Sequence, residues 1–270
     1  MTVMTRRWLV AALFVLALLP ARAGAESQDA LAGETAGADS TTAIAADATR
    51  YLALGDSIAS GYKALPATNG YPFLLYEHGV FDKVRHSLFA NAAVPGATSR
   101  DFVLHQVPQA LIPAAAGGFI PDYVTVTIGG NDLLSILHYM STHPDPADVM
   151  QFANGVLAAY AQNLFVGLAQ IRAGLPSARI YVGNQYGIPE IEALVPLATP
   201  LIAAFNETVR LVLSQFPANV HLVNVHEAFA GRRHLLLGER PGESPFETHM
   251  TNAGHRAMAH AFAAVVAETR

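Results

Sequence analysis

The stretch Tyr51-Leu-Ala-Leu-Gly-Asp-Ser-Ile58 joins a short apolar run to a Gly-Asp turn that ends in a serine. Continuous apolar character over so few residues is typical of a strand that is covered on both faces of a sheet. Open α/β sheets carry their active sites at the carboxyl ends of the strands, which is where Ser57 falls. The stretch therefore predicts a parallel sheet and makes Ser57 a candidate nucleophile.

The rest of the chain alternates between short strand-like runs and longer helical patterns. Strand-like runs cover residues 51–54, 87–91, 123–128, 180–183 and 220–225. Helical patterns lie near residues 70–78, 99–111, 132–140, 149–173 and 192–216, and a final helix begins after Thr251 or Asn252 as its N-cap. Such alternation places a parallel sheet between two layers of helices. We therefore predict an α/β fold, a three-layer α/β/α sandwich with a five-stranded sheet.

The amino-terminal residues carry the pattern of an export signal. Two arginines precede a twelve-residue apolar run from Trp8 to Leu19, and Ala23-Gly-Ala25 offers small residues for cleavage. A membrane span needs about 18 or more consecutive apolar residues, so we expect no stable span here. We predict that residues 1–25 are a cleaved signal peptide and that the protein is secreted or periplasmic.

Composition bounds the remaining chain. Residues 26–49 are mostly Ala, Thr, Gly, Ser and Asp, which predicts a flexible linker, and residues 50–270 then form one catalytic domain. After loss of the leader, 13 basic residues face 21 acidic ones, a formal charge of −8, so a nucleic-acid partner is not expected. The chain has no cysteine and no zinc, P-loop or dinucleotide motif, so we expect neither metal nor organic cofactor. We also expect a monomer.

Two later segments supply donors that a nucleophilic serine needs. Gly96 ends the turn Asn91-Ala-Ala-Val-Pro-Gly96, and its N–H can approach a bound acyl group because glycine has no Cβ. Asn131 follows Gly129-Gly130, and its side-chain amide can donate into the same site. Together with the backbone N–H of Ser57, they predict an oxyanion hole. Taken singly, each residue has a plainer interpretation as a helix cap or a turn glycine.

His249, in Glu247-Thr-His-Met-Thr-Asn-Ala-Gly-His255, is the candidate base. Histidine titrates near neutrality, so it can take the serine proton and return it to a leaving alcohol. The chain has eleven histidines, but this one lies directly before the last predicted helix. His255 falls inside that helix and is the weaker candidate.

Taken in order, these segments resemble the motif blocks of the SGNH hydrolases, the GDSL family of lipases and esterases. The resemblance spans residues 51–255, with Met250 where the family usually has a proline. It implies a flavodoxin-like sheet, hydrolysis of small-molecule or lipid esters through a covalent acyl-serine, and no cofactor. The roles it implies are nucleophile for Ser57, base for His249, and oxyanion donor for Ser57, Gly96 and Asn131.

One position departs from the family pattern. Members usually place an aspartate three residues before the histidine, and Phe246 stands there in this chain. Glu243 and Glu247 are near but out of register. We therefore predict a Ser57–His249 dyad in which a backbone carbonyl orients the ring.

The substrate is less specified by the sequence. The apolar stretch from Ala193 to Phe205, with Tyr186 and Ile188 before it, predicts an acyl pocket for medium-chain esters, although a buried helix face is the plainer interpretation. A carbohydrate O-deacetylase with the same serine and histidine is one alternative. A catalytically silent binding module of the same fold is another, and Phe246 is its best support. Loops at 143–147 and 231–248 are expected to lie over the site.

Overall fold

Five parallel strands organise the fold. They are β1 (Arg50–Gly55), β2 (Leu88–Asn91), β3 (Tyr123–Thr127), β4 (Arg179–Gly183) and β5 (Val220–Val223). The computed structural model describes residues 48–82, 88–216, 219–244 and 246–269, so the predicted signal peptide and nearly all of the predicted linker lie outside the described residues. The strand order is β2-β1-β3-β4-β5, and all neighbours are parallel. The predicted flavodoxin-like, five-stranded α/β fold is confirmed.

Helices cover both faces of this sheet. They are α1 (Ser57–Ser60), α2 (Tyr71–Glu77), α3 (Ser99–Asp101), α4 (Val107–Ala115), α5 (Gly130–Thr142), α6 (Pro146–Gly174), α7 (Pro189–Leu194), α8 (Ala198–Leu213), α9 (Val225–Phe229) and α10 (Asn252–Glu268). A π-helical turn, Phe102–Gln106, joins α3 to α4. Short 3₁₀ turns occupy Ala67–Asn69 and Arg233–Leu235.

The single helix predicted for residues 192–216 is two helices. α7 ends at Leu194, and Val195 is extended, with φ −123° and ψ 94°. Pro196 follows, and the residue before a proline is disfavoured in the helical region because of a clash with the proline ring. The apolar pattern continued across this break, which is why the prediction merged the two helices.

Alternation along β1 divides the core into two layers. Leu52 and Leu54 pack into the layer that α6 and α8 cover, together with Phe205 of α8. Tyr51 and Ala53 point to the opposite face and belong to the layer that α2 and α10 cover. Both layers are apolar, which explains why the strand reads as a continuous apolar run.

Helix α6 is the one described helix whose length and composition would allow it to cross a membrane. Its buried side chains, among them Tyr160, Leu164 and Leu168, instead pack into the first core layer. The core helix of a folded domain meets the same length and composition criteria, so this helix is weak evidence for a span.

The strand order also locates the site. The chain leaves β1 toward β2 on one side and returns to β3 on the other, so a crevice forms at the carboxyl ends of β1 and β3. Ser57 follows β1 and Asn131 follows β3. The two residues therefore reach the same crevice although they are far apart in sequence.

Candidate active site

The turn after β1 presents the Ser57 hydroxyl. Gly55 has φ +134°, and a Cβ there would collide with the backbone carbonyl of Thr127, so only glycine fits. The Asp56 side chain accepts a hydrogen bond from the Ile58 N–H at 3.0 Å and is the N-cap of α1. The plainer interpretation of Ser57 as the cap is therefore excluded, and its half-buried hydroxyl is left for another partner.

That partner is His249. The Ser57 Oγ lies 3.0 Å from His249 Nε2, across a separation of 192 residues. His249 is placed by the start of α10, where the Thr251 hydroxyl accepts from the Gly254 N–H at 3.1 Å. The ring of Tyr62 packs edge-on against the imidazole, with 4.7 Å between centroids. The structure thus brings together the two residues that the sequence singled out as nucleophile and base.

The prediction that a backbone carbonyl orients His249 was wrong. Oε1 of Glu247 contacts Nδ1 of His249 and also accepts from the backbone N–H of His249 at 3.0 Å. This segment leads into an antiparallel bridge between Met250 and Leu236, and side chains two residues apart share one side of an extended chain. Glu243, the other candidate acid, is exposed.

Lys63 completes a charged chain behind the histidine. Its Nζ lies 3.4 Å from Oε2 of Glu247, whose side chain is only 16% exposed. Burial acts to raise the pKa of Glu247, but hydrogen bonds from the backbone and ring of His249, with the Lys63 charge, hold that pKa below its usual value. Glu247 is therefore an anion at neutral pH. Sequence reasoning missed Lys63, because a lysine in the loop after α1 belongs to no motif.

The two other predicted donors lie on loops at the same crevice. The loop that carries Gly96 runs beside β1, since the Val94 N–H donates to the Gly55 carbonyl at 2.9 Å. Asn131 Nδ2 donates to the Ala97 carbonyl at 2.8 Å, which uses one of its two amide hydrogens and leaves the other. The assignment of Ser57, Gly96 and Asn131 to an oxyanion hole stays a prediction.

A buried carboxylate fastens these two loops to each other. Asp132 accepts from the Ser99 N–H at 2.8 Å and from the Ser99 hydroxyl at 2.6 Å, and Asn163 donates to the same hydroxyl at 3.0 Å. Burial raises the pKa of Asp132, while the hydrogen bonds from Ser99 oppose that rise. The network holds the start of α3 against the start of α5, one residue from Asn131.

Gln106 fastens the nucleophile turn. Its Oε1 accepts from the Gly55 N–H at 2.7 Å, and its Nε2 donates to the Gly55 carbonyl at 2.8 Å. The π-helical turn carries this side chain, which is 5% exposed, to the strand. Next to it, burial raises the pKa of Asp56 to about 7, opposed by the hydrogen bond from Ile58 and aided by the charge of Asp132. No sequence motif pointed to Gln106.

A small cavity of about 80 Å³ opens at Ser57. Its wall includes Asn131, Tyr186 and Ile188. The part of the predicted acyl pocket along Ala193–Phe205 was wrong, because no residue of that stretch lines this cavity and Leu201 and Phe205 of α8 are buried in the first core layer. Tyr186 and Ile188, which the prediction placed before that stretch, do line the cavity. An amphipathic helix buries its apolar face against the sheet, as the plainer interpretation held.

Within the described ranges, no group of three or more histidine, aspartate or glutamate side chains is placed to hold a metal ion.

The chain matches the sequence profile of the GDSL-like lipase/acylhydrolase family over residues 53–257, and it belongs to that family. The match covers most of the chain and includes Ser57, Gly96, Asn131 and His249. The protein is thus a hydrolase of the GDSL lipase and esterase type.

Solved structures share this fold at low sequence identity. Lipase Lip_vut3 from a goat rumen metagenome is 20% identical with a TM-score of 0.63, covering 80% of this chain and 96% of that chain. Phospholipase A1 from Streptomyces albidoflavus is 20% identical with a TM-score of 0.61, covering 83% and 100%. A mutant of Axe2, an acetyl-xylooligosaccharide esterase from Geobacillus, is 20% identical with a TM-score of 0.57, covering 81% and 94%. The comparison with curated proteins gives no match.

Proposed function

We propose that this GDSL-family hydrolase is an exported serine esterase that cleaves carboxylic esters through a covalent acyl-serine. The observation that carries the proposal is the 3.0 Å contact between Ser57 Oγ and His249 Nε2, with the Glu247 carboxylate on the other ring nitrogen. A hydroxyl, a base and an orienting acid in this order are the parts that nucleophilic acyl transfer needs.

The proposed reaction has two halves. Ser57 Oγ attacks the ester carbonyl carbon while His249 Nε2 takes the hydroxyl proton, and the Glu247 carboxylate stabilises the imidazolium that forms. The carbonyl oxygen becomes an oxyanion, which accepts from the N–H groups of Ser57 and Gly96 and from the second amide hydrogen of Asn131. His249 then protonates the leaving alcohol, and water activated by the same ring releases the acid from the acyl-serine.

Labelling tests the identity of the nucleophile. We expect an alkyl phosphonate ester to inactivate the purified protein and to leave its adduct on Ser57, as located by mass spectrometry of peptides. Ser57→Ala should lose at least about 10³-fold in kcat, whereas Ser141→Ala, which changes a half-buried serine near the end of α5, should keep wild-type turnover. An adduct on another residue, or full activity of Ser57→Ala, would overturn the proposal.

The small size of the cavity at Ser57 suits an acetyl group, so a carbohydrate O-deacetylase stays as a second candidate. Comparing acetylated oligosaccharides with acyl esters of increasing chain length separates the two candidates. The case for a catalytically silent module rested on Phe246, and it loses that support because Glu247 supplies the missing carboxylate.

Export rests on residues 1–25 alone. We expect cleavage after Ala25, so protein recovered from the periplasm or medium should begin at Glu26 when its amino terminus is sequenced. An intact Met1 in that fraction would contradict cleavage.

A further inference from the structure

A second, larger cavity lies beside the loop that carries Gly96. Its volume is about 510 Å³, against about 80 Å³ for the cavity at Ser57. It runs between the edge strand β2 and helix α4, and Gly96 and Ala97 form part of its wall. The carbonyl of Ala97 is bonded by Asn131, which lines the smaller cavity, so the two cavities flank one loop.

This cavity exists because small side chains face each other across it. Ala90 and Ala92 project from the β2 side, Ala110 from α4, and Phe119 closes part of the wall. Alanines leave the space between the strand and the helix unfilled, and β2 is the edge strand of the sheet in the part of the chain that the structure describes. We call this space the β2 groove.

The chemistry of the β2 groove favours an apolar occupant. Leu52, Val94 and Pro113 add aliphatic surface to the alanines and Phe119. Its carboxylate, Asp101, already accepts from the Thr98 N–H at 2.9 Å and from the Thr98 hydroxyl at 2.6 Å, and these bonds lower its pKa.

The amide of Gln106, which also lines the β2 groove, is committed to Gly55. These two polar side chains are therefore satisfied without a ligand. The groove's other two polar side chains, His105 and Gln109, are exposed to solvent, and the space is wide enough to hold a chain.

Gly96, one of the predicted oxyanion donors, lies in the wall of the β2 groove. Its φ is +83°, and no heavy atom lies within 4 Å of the position that a Cβ would take, so the space in front of it is open. An ester whose carbonyl oxygen accepts from the Gly96 N–H can extend its chain across this open space. A side chain at residue 96 would stand in that path, which gives the glycine a second use besides its backbone conformation.

We infer that the β2 groove binds the acyl chain of the ester substrate, and that this hydrolase prefers medium- and long-chain aliphatic esters. The inference rests on the proposed function, since it needs the acyl carbon at Ser57. The preference for longer chains resembles the expectation from the sequence, but it is carried by β2 and α4 rather than by α8.

Filling the β2 groove tests the inference. Ala110→Trp places an indole in the groove from a half-buried position, and Ala110→Leu fills it less. Ala115→Trp, at the exposed end of the same helix and outside the groove wall, is the matched control. The substrates are p-nitrophenyl acetate, hexanoate and decanoate, each used below the concentration at which it forms micelles.

For the wild type we expect kcat/KM to rise by up to roughly fourfold for each added methylene until the groove is full. Ala110→Trp should lose at least tenfold on decanoate and stay within twofold on acetate, Ala110→Leu should fall between, and Ala115→Trp should match the wild type. If Ala110→Trp does not fold, as judged by circular dichroism, Ala110→Leu replaces it in the test. The measured quantity is then the same, the ratio of kcat/KM for decanoate to kcat/KM for acetate.

Three results overturn the inference: a wild-type optimum at acetate, an unchanged decanoate-to-acetate ratio in the folded Ala110 variants, or the same ratio change in Ala115→Trp. Failure of the proposed function shows differently. In that case Ser57→Ala would still hydrolyse both acetate and decanoate, whatever the Ala110 variants do.

Discussion

The Glu247 carboxylate offers the sharpest test of the candidate site. Glu247→Gln replaces one carboxylate oxygen with an NH2 group. It keeps the length of the side chain and removes the negative charge beside Nδ1 of His249. The side chains of Glu247 and His249 are only 16% and 19% exposed, so water screens this pair in part. The variant therefore isolates the effect of the charge.

The expected size of the effect follows from Coulomb's law. For an imidazolium and a carboxylate whose charges lie about 4 Å apart, at an effective dielectric constant of about 20, the attraction is about 4 kcal/mol. It acts on the transition state, in which His249 is protonated, and hardly at all on the ground state, in which the ring is neutral. Since about 1.4 kcal/mol corresponds to tenfold in rate, kcat should fall by about 10³-fold with little change in KM.

Steady-state hydrolysis of p-nitrophenyl acetate between pH 7 and 9 measures both constants. Glu243→Gln is the matched control, because it removes the same charge four residues away from a side chain that is exposed. It should stay within about twofold of the wild type, since an exposed charge is well screened. A folded Glu247→Gln enzyme that keeps more than a tenth of the wild-type kcat, or a Glu243→Gln enzyme with an equal loss, would refute the reasoning.

Three further predictions concern other parts of the site. Asn131→Ala should lower kcat by about 10²- to 10³-fold, the usual effect of losing one oxyanion donor. A higher KM with an unchanged kcat would contradict that role. Lys63→Met should raise the pKa of Glu247 by roughly 0.2–0.7 units, the range for a half-exposed ion pair, and Lys63→Arg should restore it, as measured by NMR titration of the Glu247 carboxyl. An identical pKa in all three enzymes would argue against any influence of the lysine. Burial lowers the pKa of His255 to about 4, so its neutral form contributes stability that is lost as pH falls from about 6.5 to 4. The free energy of unfolding of the wild type minus that of His255→Gln should therefore fall by about 3 kcal/mol as the pH is lowered from about 6.5 to about 4. Urea unfolding at several pH values measures that difference, in which the opposing effect of Asp56 cancels because both proteins contain it, and a flat difference would exclude the shift.

The sheet and the nucleophile were readable because they depend on local pattern. Apolar runs bounded by turns gave the five strands within a residue or two at most ends, and Thr251 caps the final helix as expected. Ser57 could be assigned to the carboxyl end of β1 because Gly55 and Asp56, which directly precede it, are residues that favour a turn. These features involve residues that are close in sequence.

The orienting acid was not readable by the same means. Its identification from spacing assumed that the residue three positions before His249 faces the ring, which depends on the backbone path. Pairing of Met250 with Leu236 sets that path, and it places Glu247 rather than a carbonyl at Nδ1. Contacts of this kind join segments whose relative position is fixed only when both are packed on the core.

The sequence by itself determined the strand–helix order, the apolar faces and the residue types that acyl transfer requires, because each follows from local propensity and side-chain chemistry. Tertiary structure alone decided that Lys63, Glu247 and His249 form one chain of ionic and hydrogen-bonded contacts. It also decided that Gln106 holds Gly55 before the nucleophile turn, and that the apolar face of α8 is buried while the β2 groove stays open. Those outcomes depend on distances between elements far apart in the chain, and such distances are set by how whole helices pack against the sheet.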